Sequence, residues 1–217
     1  MPADTWVAWL GDLMPGLLLS LQLTGVLLVI GLPLGTLFAV GLKSPVRVIK
    51  YVTVAVVEVA RGIPALVLLY IVYFGLPQVE ISLDAFLSAA LALGVSFAAY
   101  SSAAIRSGID AVHPGQREAA RALGLQRGDE FFRVVLPQAM KIVTPPLLGW
   151  AIIYFQATSL AFAIAVPELL SRAYTLATQN FQYFTILAMA AVVYAAISIP
   201  ASLFANSLAH RRGRVGT

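Results

Sequence analysis

The chain has 217 residues, 60% of them hydrophobic and 11% charged, against roughly 45–50% apolar and 25% charged in a typical soluble domain. A mean hydropathy of +0.88, with several apolar runs near the roughly 20 residues that cross a bilayer, excludes a soluble globular domain and predicts an all-α membrane protein. The formal net charge of +4 is too small to point to nucleic acid, and the absence of cysteine removes disulfides, thiolate metal sites and cysteine nucleophiles.

Five spans are predicted in chain order, within one transmembrane domain covering residues 1–217. The first, Leu13 to Leu42, is longer than a bilayer needs. It contains Gly31, Pro33 and Gly35 and follows Trp6 and Trp9, so it is expected to tilt, kink or begin at the interface. The second, Tyr51 to Leu76, carries Glu58 and Arg61 at i, i+3, where they share a helical face; Gly62 and Pro64 weaken the helix just beyond. Two readings stay open there: a structural ion pair that fixes packing, or a discontinuous helix that offers polar groups to a ligand. The third span, Ala85 to Ile105, places Tyr100, Ser101, Ser102 and Arg106 toward one end, among small residues Ala98, Ala99, Ala103 and Ala104 that favour close helix contact. The fourth, Pro146 to Val166, carries Gln156, Thr158 and Ser159 at mid-depth. These uncharged donors and acceptors suit either a zwitterion or hydrogen bonds to neighbouring helices. The fifth runs from Tyr183 to Leu208.

The basic residues orient these spans. With the N-terminus outside, the inner segments Lys43 to Lys50, about 106–141 and His210 to Thr217 hold three, six and three cations, twelve of the 14 Lys and Arg. The positive-inside rule therefore predicts an external N-terminus and a cytoplasmic C-terminus. Asp4, Asp12, Glu80, Asp84 and Glu168 then fall outside. Met1 to Trp9 has no Lys or Arg, so no cleavable signal peptide is expected and the first helix stays attached.

The cytoplasmic loop, about 106–145, is long and polar, and loops of that length usually carry function. A helix is expected over Glu118 to Leu125, stopped by Gly124, and a second one starting at Asp129 and Glu130. Phe131, Phe132, Val134, Val135 and Leu136 would give the second helix an apolar surface, with Pro137 kinking or ending it. Two amphipathic helices on that face make a platform on which a partner can dock.

The spacing inside this loop resembles a known family. Glu118-Ala119-Ala120, then Gly124, then Val134 and Leu136-Pro137 is similar to the EAA loop of ABC-importer permeases. The stretch from Gly115 to Leu147 resembles the polar amino-acid branch, as do Glu58 to Pro64, Ala99-Tyr100 and Thr158-Ser159-Leu160. The resemblance implies a type I importer permease fold, a multi-pass location in the bacterial inner membrane, and a coupling helix seated in a groove of a separate ATPase. Glu118, Ala119, Ala120, Arg121, Gly124, Leu136 and Pro137 become the coupling residues. Ala119 and Ala120 would permit close approach, and Glu118 and Arg121 would pair across the interface. Glu58, Arg61, Tyr100, Gln156, Thr158 and Ser159 become the candidate substrate path. The implied partners are two ATPase subunits, which bind ATP and magnesium, an extracytoplasmic solute-binding protein and a second permease subunit. The implied substrate is an amino acid or related zwitterion.

Two positions depart from the family pattern: Ala103 stands where an acid is frequent and Gln156 where a lysine is frequent. The paired loss favours a paralogous permease over an identical copy as the second subunit. No G-x-x-x-x-G-K-[ST] phosphate loop occurs in the sequence, so the chain is expected to bind no cofactor and to be no enzyme. His113 and His210 lack companions for a metal site. The alternative is a secondary transporter or channel that uses no ATP, for which inverted repeats or several intramembrane acids are expected; Glu58 is the only acid at depth.

Overall fold

The computed structural model describes residues 3–213, with side chains from Thr5 to Ala209. Those residues form helices α1 (Ala3–Leu42), α2 (Arg47–Gly62), α3 (Ala65–Val79), α4 (Ala85–Ala111), α5 (Pro114–Ala122), α6 (Arg127–Ile164), α7 (Leu169–Asn180) and α8 (Tyr183–Gly213), and no strand is present among them. Helices α1, α4, α6 and α8 are long and apolar enough to cross a membrane, and α2 with α3, bent by 104°, supplies a fifth span. The side chains of Asp4 and of the tail His210 to Thr217, which enter the orientation argument, lie outside the described residues.

Helix α1 is the mast of the bundle. Its buried positions Trp9, Leu13, Gly16, Ser20, Leu23, Leu27, Gly31, Gly35 and Ala39 recur every three or four residues, so one stripe of a single helix faces inward along its whole length. Trp9 and Leu13 pack with Leu169, Ala173 and Ile186; Leu27 packs with Leu93, Phe97 and Tyr154; Ala39 packs with Ile105, Ile109 and Ala139. The core is thus a stack of layers threaded on α1. The closest approach is to α4. A Cβ on Gly31 would lie 2.6 Å from Phe97 Cδ1 and 2.9 Å from the Gly94 carbonyl oxygen, so Gly31 and Gly35, four apart, let two backbones meet as only small residues allow. Ala98 and Ala99 are fully buried in this region, whereas Ala103 is exposed. Helix α1 is one helix that begins before Trp6 and Trp9 and has Pro15 and Pro33 inside it.

Three elements differ from the sequence expectation. The first loop helix, α5, spans Pro114–Ala122 rather than Glu118 to Leu125, because Pro114 opens it and the chain leaves the helix before Gly124. The second loop helix starts at Arg127 rather than Asp129, and Pro137 does not end it. The segment Glu130–Val135 widens into a π turn immediately before Leu136 and Pro137, which accommodates a ring that cannot donate and crowds the preceding turn. The helix then continues into the fourth span without interruption. Its apolar residues are also not one surface: Val135 is buried while Phe132 is 67% exposed. The segment between the fourth and fifth spans contains α7, which hydropathy does not reveal because twelve residues are too few to register as a span.

Candidate functional site

In the loop between the third and fourth spans, α5 is a defined helix because both its ends are closed. His113 Nδ1 accepts from the Gly115 N–H at 3.1 Å, and Pro114 occupies the first turn, where no donor is lost. Beyond Ala122 the chain turns through Gly124 at φ +80°, with Gly124 N–H donating to the Arg121 carbonyl and Leu125 N–H to that of Ala120. This is the left-handed helix stop that glycine favours.

The turn folds α5 back on α6. Arg121 donates through Nε to Glu130 Oε2 at 2.8 Å and through Nη2 to Oε1 at 3.4 Å, and Gln138 Nε2 donates to Gln116 Oε1 at 3.2 Å. The hydrogen bond and charge of Glu130 hold the Arg121 guanidinium above its ordinary pKa. Arg121, expected from the sequence to reach across an interface, is therefore engaged within the chain. Ala120 is also turned inward, 3% exposed. What faces out is Glu118, Ala119 and Leu123, the last 82% exposed. Leu123 was not singled out in the sequence; a large apolar residue just before a helix-stop glycine was the available signal. Leu136 is half-buried and Pro137 exposed.

The second cluster lies where the second span breaks. Helix α2 stops at Gly62 because Pro64 has no N–H to continue it, and Ile63 and Pro64 are extended. The Tyr100 hydroxyl donates to the Arg61 carbonyl at 3.1 Å, serving an acceptor at the broken helix end. The Arg61 guanidinium lies 5.4 Å from the Tyr100 ring centroid, and Tyr100 lies 5.0 Å from the ring of Trp150 on α6. Glu58 and Arg61 form a single long contact of 3.7 Å, with side chains 68% and 37% exposed. A pair this open adds little to stability and leaves both charges available. Tyr100 and Trp150 also pack beside Tyr154, whose hydroxyl is 2.7 Å from that of Ser96.

The fourth-span residues divide. Gln156 is exposed and Ser159 half-buried, the Ser159 hydroxyl donating to the Gln156 carbonyl at 2.8 Å. Thr158 is fully buried and donates to the Phe155 carbonyl at 2.7 Å. The chain tightens to a 3-10 helix over Thr158–Ile164, and Thr158 packs inward while Gln156 and Ser159 stay accessible. In this conformation Thr158 is packed within the bundle.

A third polar centre was not legible in the sequence. Glu168, fully buried, caps α7 by accepting from Leu170 N–H at 2.9 Å and Ser171 N–H at 2.7 Å. It also accepts from Tyr194 Oη on α8 at 2.8 Å and from Ser20 Oγ on α1 at 3.4 Å. Burial pushes its carboxyl above the usual range despite these donors. One side chain thereby joins three helices. Among the described residues, no three His, Asp or Glu gather where a metal could sit.

Residues 31–214 match the family described as the inner membrane component of binding-protein-dependent transport systems. The chain is 34% identical to an L-cystine transport system permease protein of Bacillus subtilis (strain 168), over 92% of this chain and 86% of that one. It is 32% identical to a probable glutamine ABC transporter permease protein of the same organism, over 94% of each. Among solved structures, an amino acid ABC transporter with histidines superposes with a TM-score of 0.84 at 30% identity, covering 97% of this chain and 99% of that one. A methionine ABC transporter in an inward-facing conformation shares the fold, with a TM-score of 0.71 at 20% identity over 96% of this chain and 99% of its own. The chain belongs to this family of inner membrane transport components: it is a multi-pass membrane permease subunit with the type I ABC-importer fold.

Proposed function

We propose that this permease carries polar amino acids or related zwitterions inward across a bacterial inner membrane, with its N-terminus outside, and that ATP hydrolysed on two separate ATPase subunits drives it. The observation that carries the proposal is the construction of α5: a helix closed at both ends, tied by Arg121 to Glu130 on α6, presenting Glu118, Ala119 and Leu123 outward. A short amphipathic helix with an exposed leucine and carboxylate suits a groove on a partner protein. Because α6 is unbroken from that junction to Trp150 and Gln156, displacement of α5 is transmitted to the path. ATP and magnesium reside on the partner, whose hydrolysis supplies the energy.

The substrate end of the mechanism is the broken second span. A zwitterion's carboxylate suits Arg61 and its ammonium suits Glu58, whose mutual contact is long and exposed; the Tyr100 ring adds a face for cations. Gln156 and Ser159 complete the polar lining from α6. The amino-acid names of the relatives support this substrate class. An extracytoplasmic binding protein delivers the substrate, and a second permease faces this one. The absence of family-typical charges at Ala103 and Gln156 favours a paralogue in that place.

The deciding experiment is binding-protein-stimulated ATP hydrolysis and uptake in liposomes by the permease assembled with its ATPase. Glu118→Lys is expected to lower uptake at least tenfold with normal membrane abundance. Uptake without any ATPase would instead mark a secondary transporter or channel. Two copies of this chain on two ATPases, transporting without another permease, would overturn the paralogue.

A further inference from the structure

At the cytoplasmic end of the bundle, a groove of about 380 Å³ opens between the α1–α2 turn, the end of α4 and the α5–α6 junction. Val40, Ile49, Ile109 and Phe131 give it apolar walls, while Lys43 and Arg117 stand in the same lining. Lys43 pairs with Asp110, and Arg117 donates through Nη2 to the Ile109 carbonyl at 3.1 Å. A carbonyl uses one N–H of a guanidinium without cancelling its charge. Arg47 and Lys50 flank Ile49 in the first turn of α2, and no acid lies between residues 43 and 50. The groove is therefore apolar in its depth and net cationic at its rim. It continues onto the exposed apolar face of α2, where Val48 is 70% and Val52 57% exposed.

Given the cytoplasmic orientation of Lys43 to Lys50, this rim lies at the level of the inner-leaflet headgroups. We propose that the groove is a binding site for an anionic phospholipid, with an acyl chain against Ile49, Ile109 and Phe131 and the phosphate beside Arg117 and Lys43. Both halves of the lining are needed to select this ligand. A soluble phosphate cannot use the apolar walls, and a zwitterionic lipid carries no net charge to answer the cationic rim.

The test is native mass spectrometry of the purified permease–ATPase complex in detergent with equal amounts of phosphatidylglycerol and phosphatidylcholine. Wild type is expected to retain phosphatidylglycerol in preference, and Lys43→Gln with Arg117→Gln to weaken retention about twenty-five-fold, each cation contributing roughly fivefold. Arg117→Lys should retain the lipid. Ile49→Trp, which fills the groove from a half-exposed position and leaves every charge in place, should lose it even if the double variant fails to assemble. Equal retention of the two lipids, retention unchanged in Ile49→Trp, or displacement by excess glycerol phosphate would each overturn the proposal, the last by revealing a site for free phosphate. Loss of all bound lipid in the assembled complex would also overturn it, by assigning the groove to the protein partner.

Discussion

Two carboxylates each fasten a short helix to the long ones, at opposite ends of the molecule and by opposite physics. Glu168 is fully buried, accepts from four groups and binds α7 to α1 and α8 together. Glu130 accepts two hydrogen bonds from one side chain, Arg121, which is itself 61% exposed, and ties α5 to α6 alone. Helix α7 is locked into the bundle, whereas α5 is held by a pair whose carboxylate is buried and whose guanidinium faces solvent.

Removing the buried anchor should have the largest effect. Glu168→Ala leaves the amides of Leu170 and Ser171 and the Tyr194 hydroxyl without their acceptor, each worth roughly 1–3 kcal/mol when buried. A loss of about 3 kcal/mol is expected, seen as a fall of roughly 6–12 °C in Tm for a chain of this size; an unchanged Tm would show that the lock is not one. Next comes Gly124→Val. A β-branched residue at φ +80° costs about 1–3 kcal/mol, borne by the cytoplasmic turn alone. Uptake should collapse while α7 stays seated, as judged by limited proteolysis from the outer side.

Arg121→Ala probes the weaker tether directly. Its Tm should move far less than that of Glu168→Ala while ATP hydrolysis uncouples from uptake; coupling that survives would mean that α5 needs no intramolecular tie. Inside the membrane, Gln156→Leu should change substrate KM several-fold with little change in Tm, and Thr158→Val the reverse, since only Gln156 is exposed. The smallest expected effect is one of pH. The folded state binds the Glu168 proton more tightly than the ordinary carboxyl value of 4.5. The stability that this adds is therefore greatest below that value and is lost as pH rises through the raised folded value. Glu168→Gln should abolish the slope of Tm against pH in that window while leaving the Arg121 tether untouched.

The contrast between the anchors also explains what could be read from sequence. Apolar length was enough to read five spans, because it follows from the bilayer, a solvent that acts on every residue. Gly124 was legible as a helix stop because its conformation is a local property. Glu168 looked like an external acid: its burial depends on Ser20 and Tyr194, which are 148 and 26 residues away. The Pro167-Glu168-Leu169 run did carry a helix-start signal that hydropathy obscures. Arg121 was placed in the right loop, but its tie to Glu130 was not legible, since it arises only once the Gly124 turn brings the helices side by side. Thr158 escaped for a different reason: mid-depth position was legible, but its inward packing beside exposed Gln156 and Ser159 was not.

Helix α6 runs for 38 residues, about 57 Å at 1.5 Å per residue, nearly twice the roughly 30 Å of hydrocarbon it crosses. Its inner end bears Glu130 and its middle bears Trp150 against Tyr100. With Trp150 as fulcrum, the inner arm to Arg127 is about 35 Å long, so a swing of about 6° there displaces the cytoplasmic tip by roughly one residue's spacing along an extended chain. Spin labels at the two ends of α6 should therefore keep a constant separation through the transport cycle while both move against α4. In mechanical terms, the π turn before Pro137 lets α6 pass the proline as one continuous strut rather than as two joined at a hinge.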